Sequence, residues 1–220
     1  MKIIAHRGNS SLEIENTKKA YLQAIKDKAD IIETDIRLTK DKIPVLMHDK
    51  SCIRLCKKFK KIENINFKEL KKIHKKIYTL EDFLKDFKNK ATLLIELKRN
   101  EKHIEKITLN LIKKYKAEKN LIIISFDYNL LKNIRKQNKT IRLGILTMNP
   151  FFNLKKKIKE INAYSAHIFF MWYFKRNIEA KIYLWTVPKI LLEHYSKKDI
   201  DGITTNHPHT LKKIISKRKL

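Results

Sequence analysis

The chain is short of the residues that punctuate and staple a fold: 3 glycines, 4 prolines and 2 cysteines in 220 residues. So few breakers exclude a Pro- or Gly-rich linker and a low-complexity block, and no internal repeat is visible, so one unit over 1–220 is expected. Cys52 and Cys56 stand four apart, too few ligands for a structural zinc site, and read as free thiols in a reducing compartment. No apolar run approaches the roughly 20 residues of a membrane-spanning helix. The first six residues run straight into a polar stretch instead of the apolar core and cleavage site of a leader, so a cytoplasmic protein is expected. Acidic residues are scarce as well, 23 Asp and Glu against 51 Lys and Arg, a net charge of +28. Such a field attracts polyanions. Its carriers are nearly all Lys, spread along the whole chain beside abundant Ile and Asn, the stamp of adenine- and thymine-rich coding. No specific nucleic acid is therefore expected, and peripheral contact with an anionic membrane is kept as a second reading.

What is present is alternation. Short β-branched runs at 2–6, 30–36, 43–48, 92–97, 121–126, 141–146, 181–187 and 201–205 alternate with amphipathic stretches at 16–28, 79–88, 101–116, 127–137, 153–161, 188–197 and 208–217. That order predicts βα units around a parallel sheet. The unbroken run Leu121-Ile122-Ile123-Ile124-Ser125 suits a strand covered on both faces. A weaker run at 163–168 supplies a further strand, and the Lys-rich, strand-poor region 50–78 reads as a small insertion.

Several strands end in polar residues, where barrel enzymes place their chemistry. Ile3-Ile4-Ala5 delivers His6, able to exchange a proton near neutral pH, and Arg7, able to grip a phosphate with two hydrogen bonds. Ile31-Ile32-Glu33-Thr34-Asp35 puts two carboxylates on one face of an apolar strand. Inside a barrel they require a cation or several donors, whereas at the rim they would simply be hydrated. Glu96 and Lys98 repeat the device. Glu96 completes a three-carboxylate site for Mg²⁺ or Ca²⁺ and Lys98 neutralises a phosphate; a plain salt bridge between strands is the competing account. His48 follows a third apolar run. Two histidines and one metal provide a base, an acid and a Lewis acid, which phosphodiester cleavage needs. His74, His103, His167, His194, His207 and His209 show no usable spacing.

These residues resemble the glycerophosphodiester phosphodiesterase family. The likeness runs through His6-Arg7-Gly8, Glu15-Asn16-Thr17, Glu33-Thr34-Asp35, His48-Asp49, Glu96-Leu97-Lys98, Ile124-Ser125-Phe126, Leu184-Trp185-Thr186-Val187 and Asp201-Gly202-Ile203-Thr204-Thr205, in order and over nearly the whole chain. It implies a TIM-type (β/α)8 barrel with a small insertion after the second βα region. It further implies a divalent ion on Glu33, Asp35 and Glu96, His6 and His48 as acid and base, and phosphate held by Arg7 and Lys98. The expected reaction releases glycerol 3-phosphate and an alcohol. Glu15 is expected to order the Arg7 loop or the pocket, and Trp185 to pack at the pocket mouth. Departures stand at Ile14, Tyr78, Pro188 and Asn206. The cluster Phe169-Phe170-Met171-Trp172-Tyr173-Phe174 is expected to be partly buried. Exposed, it would instead form an apolar patch beside Lys, suited to an anionic membrane and to lysophospholipase D-type cleavage of a lysophospholipid. A non-catalytic, polyanion-binding barrel is the rival from another class.

Overall fold

The computed structural model describes residues 1–149, 151, 153–174 and 177–218. Its strands are β1 (Lys2–Ala5), β2 (Ile31–Leu38), β3 (Pro44–Leu46), β4 (Thr92–Leu97), β5 (Leu121–Ser125), β6 (Arg142–Thr147), β7 (Ser165–Phe169), β8 (Lys181–Trp185) and β9 (Gly202–Thr205). Eight of them close a parallel ring in the order β1, β2, β4, β5, β6, β7, β8, β9 and back to β1. The helices are α1 (Lys18–Lys26), α2 (Ile53–Cys56), α3 (Phe67–Ile73), α4 (Leu80–Phe87), α5 (Ile104–Lys114), α6 (Tyr128–Gln137), α7 (Leu154–Ile161), α8 (Leu192–Ser196) and α9 (Pro208–Lys217). Thr17, Thr79 and Asp127 start α1, α4 and α6 by accepting the backbone N–H of Ala20, Asp82 and Leu130, which satisfies donors that a helix start leaves open.

Strand parity sorts the core into two layers. Ile3, Ile32, Leu93, Ile95 and Ile123 face outward and pack against the helices. Ile4, Ile31, Leu94, Ile122 and Tyr183 face inward and fill the barrel. Gly144 belongs to the inner set: a Cβ there would lie 2.5 Å from Ser165 Oγ and 2.9 Å from His167 Nε2. At Gly8 the backbone turns at φ 80° and a Cβ would meet the Ala20 backbone at 2.5 Å, so only glycine fits. Elsewhere among the described residues, ten non-glycine positions take a left-handed φ, Lys28, Lys42, Lys57 and Lys116 among them.

The ring includes the weak 163–168 run as β7, whereas the 43–48 run lies outside it. Only Pro44–Leu46 are extended there, and they run antiparallel to the overhanging end of β2, Leu46 beside Ile36 and Pro44 beside Leu38. Too short to span the barrel, β3 returns the chain to its mouth. The segment from β3 to α4, which contains 50–78, packs around its own small cluster of Val45, Met47, Ile62, Ile65 and Leu70. The 188–197 stretch is a 3-10 turn over Lys189–Leu191 followed by the short α8 rather than one helix, because Pro188 and Leu191 offer no side-chain cap. Between β7 and β8 the described residues hold only a 3-10 turn, Phe170–Trp172. The aromatic run there divides: Phe169, Phe170 and Tyr173 are partly buried, while Met171, Trp172 and Phe174 are exposed. None of the described helices is long and apolar enough to cross a membrane.

Candidate active site

The inward faces of β2 and β4 become acidic at their carboxyl ends. Glu33, Asp35 and Glu96 are all buried, and one oxygen from each lies within 4.8 Å of the others. They are buried, not rim-hydrated. The cations predicted beside them are there too. Lys98 Nζ lies 2.6 Å from Asp35 Oδ1 and 2.5 Å from Glu96 Oε1, so the salt bridge weighed against a metal site coexists with the carboxylate cluster. Arg7 donates its backbone N–H to Glu33 Oε2 at 2.8 Å and brings Nε within 3.1 Å of Asp35 Oδ2. Its left-handed φ of 57° aims both groups at the acids. Asn16 donates to Asp35 Oδ2 at 3.0 Å, its own carbonyl accepting from the hydroxyls of Tyr21 and Thr34.

These contacts polarise the cluster. Burial drives the Glu33 carboxyl well above its usual range, and the Asp35 charge adds to it. Burial also lifts Glu96, to about 7, again with Asp35 adding. Burial would raise Asp35 as well, but Lys98 and Arg7 outweigh it and hold that carboxyl well below the usual range. Without a further positive charge the trio does not carry three full negative charges near neutral pH. A hard divalent cation fits this donor set, since it would favour all three in their ionised form. A second observation agrees. The buried hydroxyl Thr204 Oγ1 has no hydrogen-bond partner, whereas Arg7 Nε and Asp35 Oδ1 are held by ion pairs alone. Thr204 lines the same cavity as Glu33 and Glu96, and buried polar atoms are ordinarily paired unless a ligand completes them.

That cavity, about 220 Å³, is also lined by His6, His48, His167 and Trp185. His6 Nδ1 meets Asn206 Oδ1 at 2.6 Å, which with the amide oxygen accepting leaves Nε2 unprotonated. Burial, with Arg7 assisting, lowers its pKa to about 4. His48 comes from the loop after β3, which Arg37 Nε fastens by donating to the His48 carbonyl at 2.8 Å. Its Nδ1 lies 2.8 Å from Asp49 Oδ1, and burial lowers its pKa while Asp35 and Asp49 oppose the change. Trp185 donates Nε1–H to the His167 carbonyl at 3.0 Å and sets its ring edge-on to Phe126.

Glu15 accepts from Arg7 at 3.0 Å and from both terminal nitrogens of Arg54 at 2.7 and 2.6 Å, while Arg54 Nε donates to Asp49 at 2.6 Å. Arg54, on α2, therefore joins the Arg7 loop to the His48 loop. Sequence reasoning passed over it; its spacing from Asp49 places both at one turn, but nothing local announces Glu15. His167, set aside for want of a partner, is buried inside the ring with Nε2 3.0 Å from Ser165 Oγ, and burial lowers its pKa to about 3. Beside the cavity runs a groove of about 720 Å³ that shares Glu96, Lys98, Phe126 and Leu146 and adds Lys50, Arg99 and Met148.

Comparison with known proteins places this geometry. Residues 6–210 match the glycerophosphoryl diester phosphodiesterase family. A glycerophosphodiester phosphodiesterase of Caldanaerobacter subterraneus subsp. tengcongensis is 30% identical, with 98% of each chain covered. The crystal structure of a glycerophosphodiester phosphodiesterase from Thermotoga maritima superposes with a TM-score of 0.84 at 27% identity, over 97% of this chain and 98% of that one. An Oleispira antarctica phosphodiesterase in complex with the product sn-glycerol-3-phosphate has the same fold, TM-score 0.88 at 21% identity, over 98% and 97%. With its barrel, its acidic cluster and its family match in agreement, this chain belongs to the glycerophosphodiester phosphodiesterase family.

Proposed function

We propose that this chain, a single catalytic unit over 1–220 with 50–78 inserted, hydrolyses glycerophosphodiesters to sn-glycerol 3-phosphate and an alcohol, using one divalent cation and a pair of histidines. The observation that carries the reading is the convergence of Glu33, Asp35 and Glu96 within 4.8 Å beside a cavity that His6 and His48 both line. The product in the Oleispira antarctica relative supports the choice of substrate. Mg²⁺ or Ca²⁺ on the three carboxylates would supply Lewis-acid stabilisation of the charge that develops on the phosphoryl oxygens.

The remaining work falls to the chain's own side chains. Arg7 and Lys98 hold the phosphate and share its charge with the acids that already position them. His6 is suited to take a proton: burial keeps its ring neutral, and the Asn206 contact presents the bare Nε2. It draws that proton from water or from the glycerol 2-hydroxyl. His48 takes the part of the acid: burial lowers its pKa, but Asp35 and the Asp49 carboxylate oppose that fall and support its imidazolium form more than anything supports that of His6. Glu15 and Arg54 keep Arg7 and Asp49 in register. The neighbouring groove, apolar at Phe126, Leu146 and Met148, accepts the alcohol side, and Trp185, packed edge-on against Phe126, walls the cavity beside it.

Release of choline from glycerophosphocholine tests the reading. Turnover with Mg²⁺ or Ca²⁺ is expected to vanish on chelation, and Glu33→Gln is expected to move the metal titration to higher concentration. Full turnover in excess chelator, or an unchanged titration in the variant, overturns it. A parallel panel of glycerophosphodiesters and lysophospholipids reads the alcohol preference.

A further inference from the structure

The exposed apolar side chains are unevenly distributed. Apart from Met1 and from Leu22 on α1, every exposed large apolar residue among those described lies in a segment that leaves the carboxyl end of a barrel strand, the end that carries the active site. Two clusters stand out. After β6 and β7, Phe151 is 65% exposed, Met171 67% and Trp172 50%; the Phe151 ring lies 6.5 Å from Trp172 and 4.9 Å from Phe174. After β2 and β3, Phe59 is 91% exposed in the run Lys57-Lys58-Phe59-Lys60-Lys61, a loop whose ends are tied by the Ser51–Lys61 bridge and by Cys52 N–H to the Lys60 carbonyl at 2.9 Å. In the ring β2 and β7 are diametrically placed, with β4, β5 and β6 between them one way and β1, β9 and β8 the other. The two apolar points therefore flank the mouth.

The sequence runs that carry them hold charge of one sign, with Lys60 reaching out to Glu69 at 3.5 Å. No Asp or Glu occurs at 57–61, 147–157, 169–174 or 186–191, whereas exposed lysines adjoin the apolar groups: four around Phe59, Lys155 and Lys156 on the first turn of α7, and Lys189 beside Ile190. Aromatic and aliphatic side chains in lysine-bearing runs that hold no acid of their own match a surface that is anionic outside and apolar beneath. A nucleic acid shares only the first property; aromatics can stack on bases, but Met171 and the 88% exposed Ile190 gain nothing there.

We infer that this face docks on an anionic lipid bilayer, with Phe59 on one side of the mouth and Trp172 on the other entering the interfacial layer, so that the active site opens toward phosphodiesters at the membrane. Two anchors on opposite sides fix the tilt of the barrel as well as its attachment. The docking does not rest on the hydrolytic reading, since vesicle binding is measured without turnover.

Co-sedimentation with phosphatidylcholine vesicles, with and without phosphatidylglycerol, is the test. Binding is expected only where phosphatidylglycerol is present, to fall as salt rises, and to weaken about tenfold in Phe59→Asp and again in Trp172→Asp, since each anchor's buried apolar area contributes separately. Neither residue lies in the catalytic machinery, so turnover of glycerophosphocholine stays at the wild-type level in both and reports that they fold. Brominated lipid is expected to quench tryptophan emission in the wild type and not in Trp172→Phe. The inference is overturned if the chain ignores phosphatidylglycerol vesicles, if it binds neutral vesicles equally, or if both aspartate variants bind as the wild type does. That last outcome, with competition by nucleic acid, would identify plain polyanion adhesion instead.

Discussion

His6 and His48 line one cavity and reach it by unlike routes. His6 follows a barrel strand and leans on a neutral amide, Asn206, 2.6 Å away. His48 hangs from a hairpin outside the ring, its side chain 40% exposed, and leans on a carboxylate that Arg54 holds in turn. The contrast is what suits one residue type to the two opposite roles proposed for this pair. Burial disfavours charge on both rings, driving His6 down to about 4, while on the more exposed His48 the fixed Asp49 carboxylate opposes that fall. Arg54 is where the two arms meet, because it grips both Asp49 and the Glu15 that aligns Arg7.

The heaviest blow to this pairing is the loss of either ring. His6→Ala and His48→Ala are each expected to lower kcat by about 10²–10⁴-fold, with an unchanged melting temperature. A variant turning over glycerophosphocholine at nearly the wild-type rate would remove that histidine from the pair. Arg54→Ala frees Asp49 and Glu15 together and is expected to cost about tenfold in kcat/KM, as loss of a supporting contact typically does; an unaltered value would mean that the two arms stand without their clamp.

The mildest test shifts pH dependence alone. Asp49→Asn removes the negative charge that favours protonated His48, so the alkaline limb of the rate profile, where that proton is lost, moves to lower pH. Asn206→Asp adds a negative charge beside His6 and raises its pKa from about 4. The neutral base then appears only at higher pH, and the acid limb moves up. Each displacement should be about one pH unit, as for an added or removed neighbouring charge. Limbs that stay in place in both variants would erase the distinction between the rings.

Much of the barrel was legible because strands covered on both faces write continuous apolar runs, as at Leu121–Ser125. The β7 run was faint because its inward positions carry Ser165 and His167. The 43–48 run looked like a ring strand since apolarity records burial and says nothing of which neighbours do the burying. The acids were legible by parity: Glu33 and Asp35, two apart on one strand, must share a face. Arg54 and Asn206 were beyond that logic, their partners Glu15 and His6 standing 39 and 200 residues away. The aromatic run at 169–174 had its composition in plain view, but which of its rings would face water depended on the Phe170 and Tyr173 contacts that bury the others.

The shortage of glycine leaves a mark on the backbone. Turns that would ordinarily use it are made here by Lys28, Lys42 and Lys116, each with φ between 52 and 63°. A side chain in that conformation costs about 1 kcal/mol, so the drift toward lysine is recorded as conformational tension at the corners of the barrel. The closed ring of strands tolerates it, and restoring glycine at those corners is the least intrusive way to a sturdier enzyme.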